Sequence, residues 1–193
     1  MSGQMSDVIV VGDDEFALVE PQPGTMFDVR AHGLMPVTMH SANTRGELLR
    51  YRIEGGQLLL SDLQVGSVDQ PPELNGVVPT TDEYGQVWTY LSLDLPVEWS
   101  GDLIAGAEPI LDLYVHAGFL PVWHYEKVMT FDIENGVVQA SKDSSQEVAA
   151  FRAERTAPDA PIDDDNVFER FLDSIKLRLG LGDDAPRDSA KDA

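Results

Sequence analysis

The chain contains no cysteine. Thiol nucleophiles, disulfide staples, cysteine-ligated zinc and iron–sulfur clusters are excluded together. Long apolar runs are missing as well, and nothing approaches the roughly 18 residues that a membrane-crossing helix needs. The first apolar run, Val8 to Val11, has no cationic segment before it and meets Asp13, Asp14 and Glu15 immediately after. That arrangement is unlike a secretory signal, so a cytoplasmic location is the expectation. Basic residues are scarce, with 13 Lys and Arg against 34 Asp and Glu and a net charge of -21. A field of that sign repels phosphate backbones and anionic bilayers, so no nucleic acid and no membrane is expected as a partner. Solubility, capture of a basic protein and DNA mimicry are the readings the charge leaves. Solubility is the commonest of these, in a halophilic host or from a GC-rich genome.

Motifs of catalysis are equally sparse. There is no phosphate-binding glycine loop, no dinucleotide fingerprint, no G-x-S-x-G elbow and no zinc-protease helix, so no cofactor is expected. Asp163-Asp164-Asp165 lacks the spacing and turn glycine of a calcium loop and reads as charge at a helix start.

What the sequence does hold is sheet. A length of 193 residues suits one domain, and 42% hydrophobic residues suffice for a core. Leu49, Tyr51 and Ile53 alternate with Arg50, Arg52 and Glu54, the period of a half-buried strand. Gly55-Gly56 supplies the positive φ values of a two-residue turn, which pairs Ile53 with Leu58 and Tyr51 with Leu60. Phe131-Asp132-Ile133-Glu134 before Asn135-Gly136 repeats the pattern, pairing Ile133 with Val138 and Phe131 with Ala140. Common hairpin chemistry and an internal duplication both account for the echo.

Further strands are predicted at Val8 to Val11, Met26 to Arg30, Leu34 to His40 and Val87 to Leu93. Val97 to Trp99, Asp102 to Ile104, Leu111 to Val115 and Val122 to Phe131 follow. The fold class is mainly β, an antiparallel sandwich, barrel or curled sheet, with a C-terminal amphipathic helix. The expected core comprises Leu49, Tyr51, Ile53, Leu58, Leu60, Trp88, Trp99, Phe131, Ile133 and Val138.

After Ser141 the character changes. Residues 1–155 form the expected β domain, ending in a short helix from Ser144 to Arg155. Residues 156–165 form an acidic, proline-containing linker, 166–180 an amphipathic helix and 181–193 a disordered tail. Asn166 and Glu169 stand as a capping box. Phe168, Phe171, Leu172 and Ile175 share one apolar face, which either packs on the sheet or docks onto a partner.

Candidate chemistry is confined to histidines. His124 and Glu126 stand two apart in a predicted strand and so leave one face. His116 reaches them if Gly118 and Pro121 turn the chain. Two imidazoles and a carboxylate suit acid–base work, although strict metal-ligand spacing is not met and no metal is expected. Trp88, Trp99, Trp123, Tyr114 and Tyr125 line a pocket on one reading and are plain core on the commoner one.

Three runs share a wider pattern: Arg45-Gly46 with Tyr51-x-Ile53 and Gly56-x-Leu58-x-Leu60; Trp99-Ser100-Gly101-Asp102-Leu103; and Tyr114-Val115-His116-x-Gly118-Phe119 with Tyr125-Glu126. Together they resemble a diffuse group of uncharacterised bacterial proteins rich in β-hairpins, over roughly Thr44 to Val138. The resemblance implies the β fold and no mechanism, and places His116 and Glu126 inside matching motifs. The leading functional expectation is a non-enzymatic, acidic, immunity- or inhibitor-like protein with a basic protein partner. The alternative is a small ligand-binding or catalytic β-barrel using the histidine and glutamate face.

Overall fold

Two-residue turns at glycine pairs fix the register of the central hairpins. In the computed structural model, which describes residues 3–21, 24–114 and 118–155, β3 (Glu47–Glu54) and β4 (Gln57–Gly66) pair Ile53 with Leu58 and Tyr51 with Leu60. Gly55 and Gly56 carry φ of 59° and 81° at the turn, the mirror-image conformation that matches strand twist. The second hairpin joins β9 (Tyr125–Glu134) to β10 (Val137–Asp143) through Asn135 and Gly136, pairing Ile133 with Val138. Phe131 faces Ser141 rather than Ala140, because a bulge between Val138 and Ala140 shifts the register by one.

The remaining strands are β1 (Val8–Val11), β2 (Asp14–Glu20), β5 (Thr80–Thr81), β6 (Val87–Tyr90), β7 (Leu95–Pro96) and β8 (Gly101–Pro109). All ten belong to one sheet in the order β10-β9-β8-β2-β1-β3-β4-β6-β5, with β7 beside β4. Among the described residues every strand pairing is antiparallel except β1 with β3. A parallel pair requires a long crossover, and the chain between β2 and β3 supplies it.

Several expectations are corrected along that crossover and beyond. Met26 to Arg30 and Leu34 to His40 form no strands; a 3-10 turn at Val29–His32 stands there, capped by Asp28, whose carboxylate accepts the Arg30 N–H, and stopped by Gly33. Strand β2 follows directly on a turn at Gly12 and Asp13, where acidic Asp14 and Glu15 obscured the alternation of Phe16 and Leu18. Val97 to Trp99 is not a strand, since β7 ends at Pro96, which lacks the N–H a ladder needs. Leu111 to Val115 begins as a 3-10 turn at Leu111–Leu113, and a further one at Val122–His124 precedes β9.

Among the described residues, the inward face of the sheet carries the apolar core. Ile9, Phe16, Leu18, Leu49, Tyr51, Leu58, Leu60, Leu63, Leu103, Phe131 and Ile133 are buried there, while Ile53, Trp88, Trp99 and Val138 are partly buried against it. The two glycine-rich turns meet: Leu58 N–H donates to the Gly136 carbonyl and Val138 N–H to the Gly56 carbonyl, each at 2.8 Å. This bridge joins β10 to β4 at Val137 and Gln57.

By contact pattern the chain divides into two units, residues 1–145 and 146–193. The helix α1 (Ser145–Arg155) begins at that boundary. The amphipathic helix predicted at 166–180, with Phe168, Phe171, Leu172 and Ile175, lies outside the described residues, as do the linker and the tail.

Candidate functional site

The histidine and glutamate face is built differently from the sequence expectation. His124 closes the 3-10 turn at Val122–His124, and its carbonyl accepts the Ile110 N–H at 2.8 Å. It therefore precedes the strand, and the two-residue alternation that placed it beside Glu126 does not operate. The rings of Trp123 and His124 meet edge-on, with centroids 6.2 Å apart. Glu126 is exposed on β9, and His116 lies outside the described residues. Among the described residues, no group of three or more His, Asp or Glu is placed to hold a metal.

The aromatic residues divide between two places. Trp88 and Trp99 pack against the core, whereas Tyr114 and Tyr125 line a surface cavity of about 200 Å3 with Gly3, Ala17 and Leu120. Burial pushes the Tyr125 phenol up to about 12, with Tyr114 adding to it.

Sequence reasoning missed the most polar feature of the interior. Asp7, just before β1, is fully buried. Its Oδ1 accepts Arg45 Nη2 at 2.8 Å and the Leu49 N–H at 3.1 Å, and its Oδ2 accepts the Gly24 N–H at 2.7 Å. One carboxylate thus ties the start of β1, the loop carrying Gly24 and the strand β3 together. A carboxylate buried at that point is tolerable only because charge and hydrogen-bond donors surround it.

Glu47 continues the cluster. Its side chain is 7% exposed, with Arg45 Nη1 at 3.8 Å and Arg30 Nη1 at 4.0 Å. Burial raises its carboxyl above the ordinary value; Arg45 and Arg30 oppose the rise, while Asp7 and Asp28 add to it. Tyr51, on the same inward face of β3, has its phenol raised well above normal by burial and then by the charges of Asp7 and Glu47. Asn43 braces the turn into the strand, with its amide donating to the Glu47 carbonyl at 2.9 Å and its oxygen accepting the Gly46 N–H at 3.0 Å. The legible signal was Glu47 itself, an acid two residues before Leu49 on the inward register.

On the outward face the cations are held by carboxylates. Arg50 sits against Glu15 and Asp62, Arg52 against Asp94 at 2.6 Å and Glu54 at 2.7 Å, and Lys127 against Glu108 at 2.6 Å. Across β8 and β9, Asp102 stands directly opposite Asp132, and Glu134 follows on the same face. Desolvation first, then Asp102 and Glu134, raise the Asp132 carboxyl. A cavity of about 310 Å3 opens on the outward face of β1, β3 and β4, with Met5, Val8, Leu48 and Leu91 around Arg50. Another of about 320 Å3 is lined by Val37, Met39, Val68, Tyr84 and Val87.

No family model, curated protein or solved structure matches the chain.

Proposed function

We propose that this chain is a non-enzymatic binding protein whose acidic outer surface receives a basic protein partner. The observation that supports the reading is the disposition of charge on the sheet. Arg45, Arg50, Arg52 and Lys127 are each matched to carboxylates of the chain itself, so the field that reaches outward is that of the excess acids. Asp102 opposite Asp132 is an arrangement that costs the free protein stability, since like charges directly across a ladder repel. A cationic surface brought against β8 and β9 would offset the repulsion that Asp102 and Glu134 exert on Asp132. Charge complementarity of this kind speeds encounter and selects partners more than it adds affinity.

The test is capture of a partner by the tagged chain at low and at high ionic strength. The reading requires a basic protein retained at low salt and released at high salt. A partner whose retention is indifferent to salt, or one that is itself acidic, would remove its basis.

A further inference from the structure

Single apolar residues on a protein surface need no explanation, but several that converge on one concavity do. Val37, Val68 and Tyr84 are 43%, 82% and 76% exposed, and all three line the cavity of about 320 Å3 with Met39 and Val87. One wall is the segment around Val37, and the other is the turn between β5 and β6. Both walls are tied to the end of β4. The Val37 N–H donates to the Gly66 carbonyl at 2.9 Å and the Ser67 N–H to the Gln86 carbonyl at 3.0 Å. Trp88 Nε1 donates to the Ser67 carbonyl at 3.3 Å. A Cβ at Gly66 would collide with the Val37 carbonyl oxygen, so that wall lies directly on the strand. The cleft is built before anything enters it, which lowers the ordering cost of binding.

Charge decides what enters. No Lys or Arg occurs between Arg52 and Lys127, the stretch that supplies Val68, Tyr84 and Val87. Carboxylates stand beside the cleft instead. Asp69 follows Val68, and its carbonyl accepts the Ser67 hydroxyl at 2.7 Å. Glu83 precedes Tyr84, and Asp82 Oδ1 accepts the Gln86 N–H at 3.0 Å. That N–H foremost holds the Asp82 carboxyl below its ordinary value, so the rim stays charged.

We propose that this cleft anchors a short basic segment of the partner. One apolar side chain of that segment enters between Val37 and Tyr84, while lysines or arginines beside it meet Asp69, Asp82 and Glu83. The inference rests on the reading of the chain as a binder of a basic protein, and adds where and through what segment it binds. The acids of β8 and β9 draw a cationic partner in from a distance. An apolar anchor seated in a pocket supplies the close-range affinity that charge alone does not. A second copy of the chain is a poor occupant, because each carries a net charge of -21 and two such surfaces repel.

Titration of the full chain with short synthetic peptides, followed by nuclear magnetic resonance at about 0.05 M salt, tests the assignment. Two peptides carry lysines on both sides of a central residue, leucine in one and serine in the other. A third has its leucine between glutamines. The lysine-flanked leucine peptide should shift the amide resonances of Val37, Val68, Tyr84 and Val87. It should bind at least about tenfold more tightly than the serine peptide, the effect of burying one leucine side chain. The variant Val68→Ser, Tyr84→Ser, changed only at exposed positions, should lose that preference while keeping a folded spectrum. If it does not fold, the wild-type titration decides by itself. Equal binding of the leucine and serine peptides, or of the lysine- and glutamine-flanked ones, would overturn the proposal. Shifts at the same residues with protein concentration alone would assign the cleft to a second copy and also overturn it. Lysine peptides that shift only the strands around Asp102 and Asp132 would overturn the cleft and leave the acidic-surface reading standing. No binding of any peptide would overturn both.

Discussion

The carboxylate of Asp7 and the guanidinium of Arg45, 38 positions apart, meet at 2.8 Å where the first and third strands run parallel. Asp7 is fully buried, and the pair fixes how the crossover returns to the sheet. Removing one partner of a buried pair leaves the other charge uncompensated, at a cost of about 3–5 kcal/mol. Arg45→Met is therefore expected to lower stability by that order in urea denaturation. The double variant Asp7→Asn, Arg45→Met should recover part of the loss, because it removes the stranded charge. A double variant that loses as much stability as the sum of the two single changes would show that the pair is not coupled.

Two turn glycines, both at positive φ, differ in what surrounds them. Gly55 has φ 59° and nothing within 4 Å of where a Cβ would stand, whereas at Gly136, φ 77°, a Cβ would stand 2.2 Å from the Val97 carbonyl oxygen. Gly55→Ala should cost about 1–2 kcal/mol, the left-handed strain alone. Gly136→Ala should cost more by about 1–3 kcal/mol, because the contact between the hairpin tip and Val97 must open. Equal shifts in the denaturation midpoint would mean that the tip contact contributes nothing.

The raised carboxyl of Glu47 makes stability depend on pH in a defined direction. The native state holds the Glu47 proton more tightly than an unfolded glutamate of ordinary value 4.5. The stability this supplies is complete below that value and is lost as pH rises through the folded one. Glu47→Gln carries no such penalty, so its stability relative to wild type should increase as pH rises from the ordinary glutamate value through the higher folded one. The comparison needs thermal or urea melts of both proteins across that range. A difference that stays constant, or runs the other way, contradicts the burial of Glu47.

On the outer face, Asp132→Asn should stabilise the free protein by about 0.2–1 kcal/mol by removing a like-charge pair across β8 and β9. The gain should shrink as salt is added, since screening weakens exposed charge interactions. Urea denaturation at low and high ionic strength reads both quantities.

The hairpins were legible because two local signals agreed. The alternation around Tyr51 and the glycine pair beside it specify one register, and so do Ile133 and Asn135-Gly136. The parallel pairing of β1 with β3 was not legible, because it depends on a contact between Asp7 and Arg45 that no local period announces. Val29 and Leu34 are apolar enough for strands, yet they are buried from a turn that Asp28 and Gly33 set. His124 illustrates the limit of spacing arguments: a two-residue interval places side chains on one face only if both residues lie in the strand. The buried cluster was partly visible, since Glu47 interrupts an otherwise apolar inward face.

The most direct test of the acidic-surface account is capture from host lysate at about 0.05 and 0.5 M salt, across which screening separates charge-driven from apolar binding. Wild type and the variant Asp102→Asn, Asp132→Asn, Glu134→Gln are compared side by side. The account predicts a basic protein retained by the wild type at low salt, released at high salt, and retained more weakly by the variant even at low salt. Equal retention by both proteins, or no retention by the wild type at low salt, would contradict it.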